Sequence, residues 1–170
     1  MSGLSDFRKA KDDFFRNDPQ SPIDRAQPRS FTRLNYFPEN PDLRFDLPLE
    51  KNEKPELIVM ATSTGDEQEY YHIGQIRLVV QKQVAILQVY VSVRGGNYFI
   101  PFVDATAPEE TYGAGRYLEP EEIGNGNLHV DFNLAYNPYC AYNDRWSCPI
   151  PPRQNRISVR IEVGEKKFHE

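Results

Sequence analysis

Most of the chain from residue 43 onward consists of short runs in which apolar and polar residues alternate, separated by glycine, proline and asparagine. A period of two is typical of strands with one buried face. Because no helical periodicity lies between the runs, they predict a mainly β fold, an antiparallel β-barrel or closed sandwich, and disfavour a parallel α/β sheet. Strands are expected at 43–50, 56–62, 76–80, 84–93, 98–102, 116–118, 128–133 and 157–163.

Three of these runs carry further predictions. Pro48 has no backbone N–H to give to a ladder, so its strand is expected at a sheet edge or at a bulge. The polar residues 81–83 between two apolar runs predict a hairpin loop. The clearest alternation lies at 157–163. Every second residue there is isoleucine or valine, so that Ile157, Val159, Ile161 and Val163 share one face, and a regular strand is expected.

The beginning of the chain has a different pattern. Its apolar residues recur at helical spacing, Ser2 or Ser5 suits an N-cap, and Asn17-Asp18-Pro19 suits a helix end. Ser21-Pro22 suits the start of a second, short helical turn. We therefore expect one domain over residues 1–170, with residues 1–30 as a helical extension packed on the β-domain. The apolar face of the first helix is expected to contain Leu4, Phe7, Phe14 and Phe15.

Composition excludes several classes of function. The chain has 170 residues, 26% of them charged and 39% hydrophobic, with a net charge of −5, as expected for a soluble globular protein. It contains no apolar run long enough for a membrane span and no basic stripe for nucleic acid, and its start does not resemble a signal peptide. We expect a cytoplasmic protein without a nucleic-acid or membrane partner.

Two segments, 104–117 and 128–148, concentrate turn-forming, ionisable and aromatic residues. In the second segment, period two places His129, Asp131 and Asn133 on one face of a strand. Two interpretations stay open: the row lines a pocket for a polar ligand or a metal held by His129 and Asp131, or it is the solvent face of an ordinary strand. The three histidines lack the spacing of a metal motif, so no metal site is predicted beyond this candidate.

The first segment contains Arg116, whose planar guanidinium suits a carboxylate. One interpretation is that Arg116 pairs with Asp104 or Asp131 and braces the loops, because a charge near the core must be paired. In the other, Arg116 holds an anionic ligand while Asp104 or Glu110 acts as acid or base.

The two cysteines, Cys140 and Cys148, are too few for a zinc site. Cys140 is either an inert core residue or a nucleophile, for which His129 is the nearest histidine in sequence. A Cys140–Cys148 bridge is compatible with the spacing, and it would matter only in an exported or redox-sensing protein.

Long motifs in these segments resemble the signature of an uncharacterised prokaryotic family, domain-of-unknown-function family 1684. The motifs are PFVDAT, ETYGAGRYL, DFNLAYNPYCAY and WSCPIPPRQN, and the N-terminal part, FRKAKDDFFRNDPQSPI, is similar to the shorter members. The resemblance covers nearly the whole chain and implies no particular activity. It implies functional positions at Asp104, Thr106, Glu110, Thr111, Tyr112, Arg116, Tyr117, Asp131, Asn133, Asn137, Cys140 and Cys148.

The sequence favours a small-molecule-binding protein whose polar pocket is built from segments 104–117 and 128–148 and takes a small polar or anionic molecule. One alternative is an enzyme, a hydrolase or isomerase, with Asp131 or Glu110 as base or Cys140 as nucleophile; another is a structural or interaction protein without a ligand. Neither a cofactor nor an oligomeric state follows from the residues. The predicted ligand-binding residues are Asp104, Thr106, Tyr112, Arg116, Asp131, Asn133, Asn137 and Tyr139.

Overall fold

The structure, a computed structural model, describes residues 3–23 and 33–169. Over these residues the chain forms one helix, α1 (Gly3–Asn17), followed by strands and 3-10 turns. The strands are β1 (Arg44–Pro48), β2 (Glu50–Ala61), β3 (Glu67–Val80), β4 (Gln83–Ser92), β5 (Tyr98–Phe102), β6 (Arg116–Leu118), β7 (Glu121–Gly124) and β8 (Asn127–Asp131). The 3-10 turns are Pro41–Leu43, Phe132–Leu134, Tyr139–Ala141 and Arg153–Asn155.

The strands form two antiparallel sheets, one with the order β2-β3-β4-β5-β6 and one with the order β1-β8-β7. The prediction of a mainly β, antiparallel fold with an N-terminal helix is confirmed. The arrangement is sandwich-like, and no closed barrel forms among the described residues. Pro48 lies at the end of β1, an outer strand of the small sheet, as its missing N–H requires.

The long β3–β4 hairpin has the turn that its polar loop predicts. Gln81 and Lys82 both have positive φ, 50° and 65°, and Gln83 already begins β4. Two consecutive residues with positive φ form a hairpin turn whose twist matches the twist of the paired strands.

The main core lies between the two sheets. The small sheet contributes buried side chains of β8, Leu128 and Val130, and the large sheet contributes Ile76, Leu87 and Phe102. Alternate residues of β8, of β4 and of the end of β3 thus fill the interior, as the period-two pattern predicts.

Helix α1 ends at Asn17, as predicted from Asn17-Asp18-Pro19. Its Phe15 packs edge to face on Tyr142, with ring centroids 4.8 Å apart. The second helical turn expected after Ser21 does not begin within residues 21–23. The rest of that expected turn, and of the 1–30 extension, falls in residues 24–32, outside the described residues.

The prediction of a strand at 157–163 is wrong, although its alternation is right. Val159, Ile161 and Val163 are buried and contribute to the main core, yet the segment belongs to neither sheet. Its backbone bonds at one end to Val103, through the Ile157 N–H at 2.8 Å. At its other end the backbone bonds to side chains in place of a neighbouring strand, so alternation reports burial here and not ladder pairing.

The expected strand at 128–133 is shorter than predicted. β8 ends at Asp131, and a 3-10 turn begins at Phe132. The predicted row of three polar side chains on one face is therefore wrong at Asn133, which is buried in that turn. Sequence reasoning also missed β7, although the Gly124-Asn125-Gly126 turn before β8, with positive φ throughout, is a hairpin signal.

Candidate functional site

The predicted site residues Asp104, Thr106 and Arg116 form a buried cluster, here called the arginine network. Arg116, at the start of β6, is only 1% exposed. Its Nη2 donates to Asp104 Oδ1 at 3.3 Å and to the Ile161 carbonyl at 2.9 Å. Its Nη1 donates to the carbonyls of Val163 and Glu165. The guanidinium thus bonds to two carbonyls of the 157–163 segment, those of Ile161 and Val163, that no neighbouring strand pairs with.

Asp104 completes this network from the loop after β5. Its Oδ2 accepts the Ile161 N–H at 2.7 Å, and its carboxylate also accepts from the Thr106 hydroxyl at 2.9 Å. The Thr106 hydroxyl lies 2.8 Å from that of Thr111. Burial lowers the pKa of Arg116, while the Asp104 carboxylate opposes that shift. Of the two interpretations of Arg116, the contacts match internal pairing with Asp104, and not with Asp131.

Next to the arginine network, Glu165 joins α1 to the β-domain. It accepts a hydrogen bond from Lys11 Nζ at 2.7 Å and one from Asn137 Nδ2 at 2.9 Å. Burial raises the pKa of the Glu165 carboxyl, and the Lys11 ammonium opposes this shift. The predicted ligand residue Asn137 therefore supports a buried carboxylate.

The other predicted acids lie in separate ion pairs. Asp131 accepts from Arg44 Nε at 3.1 Å and caps the turn that holds Asn133. Asn133 in turn exchanges hydrogen bonds with the backbone of Asn40. These residues support the start of β1 and do not share a hydrogen-bond network with Arg116.

Glu110 and His129, a predicted base and a predicted metal ligand, also have partners of their own. Glu110 pairs with Arg160. His129 Nδ1 lies 2.7 Å from Asp46 on the outer face of the small sheet. Among the described residues, no group of three or more His, Cys, Asp and Glu side chains could hold a metal ion.

An open cleft of about 550 Å³ lies between α1 and the segments around residues 117 and 136–148. Its walls are mainly aromatic, and we call it the aromatic cleft. Four of its rings form two pairs: Tyr139 and Trp146 have centroids 5.3 Å apart, and Tyr117 and Tyr136 have centroids 5.8 Å apart. The residues that define it are Phe7, Phe15, Tyr117, Tyr136, Tyr139 and Trp146.

The polar groups of the aromatic cleft are already engaged. Lys11 Nζ pairs with Glu165 and lies 5.2 Å from the centre of the Tyr136 ring. The Tyr136 hydroxyl donates to Glu119, and the Tyr117 hydroxyl donates to the Pro149 carbonyl. Burial raises the pKa of both tyrosines, so these phenols stay protonated hydrogen-bond donors. The wall of the aromatic cleft therefore presents mainly aromatic ring faces to a ligand, because its charged groups are paired within the protein.

A thiol pair, Cys140 and Cys148, borders the aromatic cleft. The two cysteines are unbridged, and the Cys140 N–H donates to Cys148 Sγ at 3.3 Å. The Tyr112 hydroxyl lies 3.6 Å from Cys140 Sγ. A hydrogen bond from Cys148 lowers the pKa of the Cys140 thiol to about 6, with Tyr112 adding to this and burial opposing it. The same contact raises the pKa of Cys148.

The sequence-predicted site residues thus do not form one site. Asp104, Thr106 and Arg116 lie in the arginine network, and Asp131 and Asn133 lie near β1. Glu110 and His129 lie in ion pairs of their own, and the others lie at the cleft or the thiol pair. The cleft wall supplied by α1 was missed, since helical spacing shows an apolar face without showing what covers it. The residues found at the cleft or the thiol pair are Tyr112, Asn137, Tyr139 and Cys140.

Comparison with known proteins gives a family and a similar structure. A family model described as "Protein of unknown function (DUF1684)" matches residues 29–166, as the sequence motifs indicate. The solution NMR structure of an uncharacterized protein of Haloarcula marismortui is similar, with 34% identity and a TM-score of 0.73 over 96% of this chain and 91% of that chain. The curated proteins contain no match. No helix of the described residues is long and apolar enough to cross a membrane.

Proposed function

The chain belongs to the DUF1684 family, and we propose that it binds a small, ring-containing, largely apolar molecule in the aromatic cleft. Because family membership and fold do not give a ligand, the proposal rests on the site. One observation carries it: a concavity of about 550 Å³ walled by aromatic rings. Small-molecule sites are typically concave and apolar, with volumes of about 300–1,000 Å³.

The ring arrangement supports a flat ligand. Tyr139 is 38% exposed and Trp146 is partly exposed, so both keep surface for a further ring beyond their contact with each other. Aromatic pairs in edge or offset geometry gain about 0.5–1.5 kcal/mol beyond burial, which favours a cyclic ligand over a purely aliphatic one.

The charges near the cleft favour an apolar ligand over the polar or anionic molecule that the sequence alone suggests. Lys11 is paired with Glu165, and Arg116 is buried in its own network. An anionic ligand would have to compete with these carboxylates for their cations, and breaking buried pairs is costly.

Trp146 provides a direct test, because it is the single tryptophan of the chain and lies in the cleft wall. Titration with a panel of small aromatic and aliphatic compounds should change Trp146 fluorescence saturably for cyclic members of the panel. Native mass spectrometry of the purified protein should detect any molecule retained from the host cell. If no compound changes the emission and no retained molecule is found, the proposal fails.

Tyr139→Ala is the matched variant. It should weaken binding by about tenfold, the upper end of one aromatic contact, at nearly unchanged thermal stability. Tyr71→Ala is its control, since Tyr71 is a similarly exposed tyrosine (41%) on β3 outside the cleft. Equal affinities for both variants would place the ligand elsewhere.

We also propose that the chain acts in the cytoplasm as a single domain. Two adjacent unbridged cysteines suit a reducing compartment. The Lys11–Glu165 pair and the Phe15–Tyr142 contact link α1 to the β-domain. Cell fractionation checks the location, and one cooperative transition seen by both fluorescence and circular dichroism checks the domain organisation.

A further inference from the structure

We propose that Cys140 and Cys148 form a redox-active pair, in which a hydroperoxide oxidises Cys140 and Cys148 converts the product to a disulfide. This inference goes beyond ligand binding and does not depend on it. It rests on the arrangement of two thiols, one phenol and the backbone that fixes them.

The backbone holds the two sulfurs together. Cys140 lies in the 3-10 turn Tyr139–Ala141, and its own N–H donates to Cys148 Sγ at 3.3 Å. Cys148 is fixed from the other side, since its N–H donates to the Ser63 hydroxyl at 3.1 Å and its carbonyl accepts the Ser63 N–H at 3.0 Å. Because the two thiols also hydrogen-bond to each other, their sulfurs lie side by side, as an intramolecular disulfide requires.

The environment gives the two thiols different roles. Cys140 is partly exposed, whereas Cys148 is 8% exposed. The groups that face Cys140 Sγ are the Cys148 thiol, the Tyr112 phenol and the Ser63 hydroxyl, and each can stabilise a thiolate. These contacts lower the pKa of the Cys140 thiol to about 6 and so favour its thiolate. Cys140 is thus the nucleophile and Cys148 the resolving thiol.

The proposed reaction balances with one hydroperoxide as the oxidant. The Cys140 thiolate attacks the terminal peroxide oxygen, the O–O bond breaks, and the leaving alkoxide, or hydroxide from hydrogen peroxide, takes a proton from solvent. Cys140 is oxidised by two electrons to a sulfenic acid, and the peroxide is reduced to an alcohol, or to water from hydrogen peroxide. The Cys148 sulfur then attacks Cys140 Sγ; an S–S bond forms, the S–O bond breaks, and water leaves with the Cys148 proton. An external dithiol returns the pair to the reduced state by exchange.

Arg145 makes the product easy to identify, because trypsin cuts between the two cysteines. The folded protein is treated with an equimolar amount of hydrogen peroxide, remaining thiols are blocked with N-ethylmaleimide, and the digest is analysed without reductant. We expect peptides 117–145 and 146–153 joined within one chain and an intact mass lower by two hydrogen atoms. N-ethylmaleimide adducts on both cysteines, a sulfinic acid at Cys140 with an N-ethylmaleimide adduct on Cys148, or a disulfide between two chains would each overturn the proposal.

Two variants separate the steps. Cys148→Ser should stop at the sulfenic acid, which a cyclic 1,3-dione traps at Cys140. Cys140→Ser should remain unoxidised at Cys148, because that thiol is only 8% exposed and burial by itself raises its pKa. Trapping at Cys148, or no trapping at Cys140, contradicts the assigned roles.

A measurement on the wild-type protein keeps the test valid if a variant does not fold. The rate of Cys140 alkylation by iodoacetamide should follow a titration with a midpoint near pH 6. A midpoint near the free-cysteine value of about 8.5 would refute the activated thiol. Tyr112→Phe keeps the ring but removes one hydrogen bond, and should move the midpoint upward.

Discussion

The arginine network and the aromatic cleft come from neighbouring parts of the same polar and aromatic sequence, yet they differ in their relation to solvent. In the arginine network, both terminal nitrogens of Arg116 donate twice to groups of the chain itself. In the aromatic cleft, Tyr139 and Trp146 pack on each other and remain partly exposed.

This difference shows how two uses of similar residues can be distinguished. A buried cation whose terminal donors all meet carbonyls or a carboxylate stabilises the fold and has no donor left for a ligand at those nitrogens. Aromatic rings whose apolar surface stays exposed in a concavity are not explained by folding, which favours burial of that surface. Such rings suit a bound ligand. Substitutions should therefore reduce stability in the network and reduce binding in the cleft.

The largest effect is expected for Arg116→Ala. It leaves Asp104 buried without its cation and the carbonyls of Ile161 and Val163 without donors, so the free energy of unfolding should fall by about 3–5 kcal/mol. Urea unfolding measures this. Arg160→Ala is the control, an arginine paired with Glu110 and Glu162 at the surface, and should change stability little. Similar losses for both arginines would contradict the role of the network.

Gly115→Ala should have the next largest effect, because it disturbs the loop that leads into Arg116. Gly115 has φ of +103°, and an added Cβ would lie 2.5 Å from the Phe102 carbonyl oxygen and 2.9 Å from Val103 Cγ2. We expect a loss of about 3 kcal/mol.

The control for Gly115 is Gly95→Ala, where φ is +82° but the added Cβ meets nothing within 4 Å. Only the backbone cost of about 1 kcal/mol should remain there. Chemical denaturation measures the free energy of unfolding of both variants. If the two losses are equal, close packing around the arginine network does not explain why residue 115 is glycine.

Sequence alone predicts most of the fold and little of the site, because a local pattern records which side chains are buried and not which distant residues they contact. The period of two locates β4, β8 and the end of β3 because it records which side chains are buried. It fails at 157–163 because burial alternates there while the side chains of Asp104 and Arg116, distant in sequence, bond to the backbone around Ile161 in place of a paired strand. The local sequence of residues 157–163 does not indicate that side chains from elsewhere in the chain bond to its backbone.

The site follows the same rule. Residue types correctly mark Tyr139 and Cys140 as part of an unusual segment, but they do not reveal that α1 covers it or that Cys148 folds back onto the Cys140 N–H. Arg116 and Asp131 both look suitable for a ligand, and only their partners, Asp104 and Arg44, show that they stabilise separate parts of the fold.

A smaller effect, dependent on pH, is expected where the cleft and the arginine network meet. Burial raises the pKa of the Glu165 carboxyl above the ordinary pKa of glutamate. The free energy of unfolding therefore falls as the pH rises through these two pKa values, because the buried carboxyl must ionise. The Lys11 ammonium offsets part of this loss. Lys11→Met should therefore lose about 2 kcal/mol at neutral pH and clearly less below about pH 4.3, where Glu165 is protonated with or without the lysine.

Unfolding curves at both pH values measure this difference. Lys9→Met, on the exposed side of the same helix, is the matched control and should show no such pH dependence. A loss in Lys11→Met that does not change with pH would mean that the lysine contributes through packing alone, and not through the charge of Glu165.

The smallest effect on stability is expected for Tyr139→Ala, the variant that should most affect binding. Its ring touches Trp146 and Phe15 edge-on and is 38% exposed, so the free energy of unfolding should fall by less than about 1 kcal/mol. Thermal unfolding without ligand measures this. A loss close to that of Arg116→Ala would make Tyr139 part of the core and remove the contrast between the two regions. A small loss with weakened binding would establish the cleft as surface that the fold keeps open for a ligand.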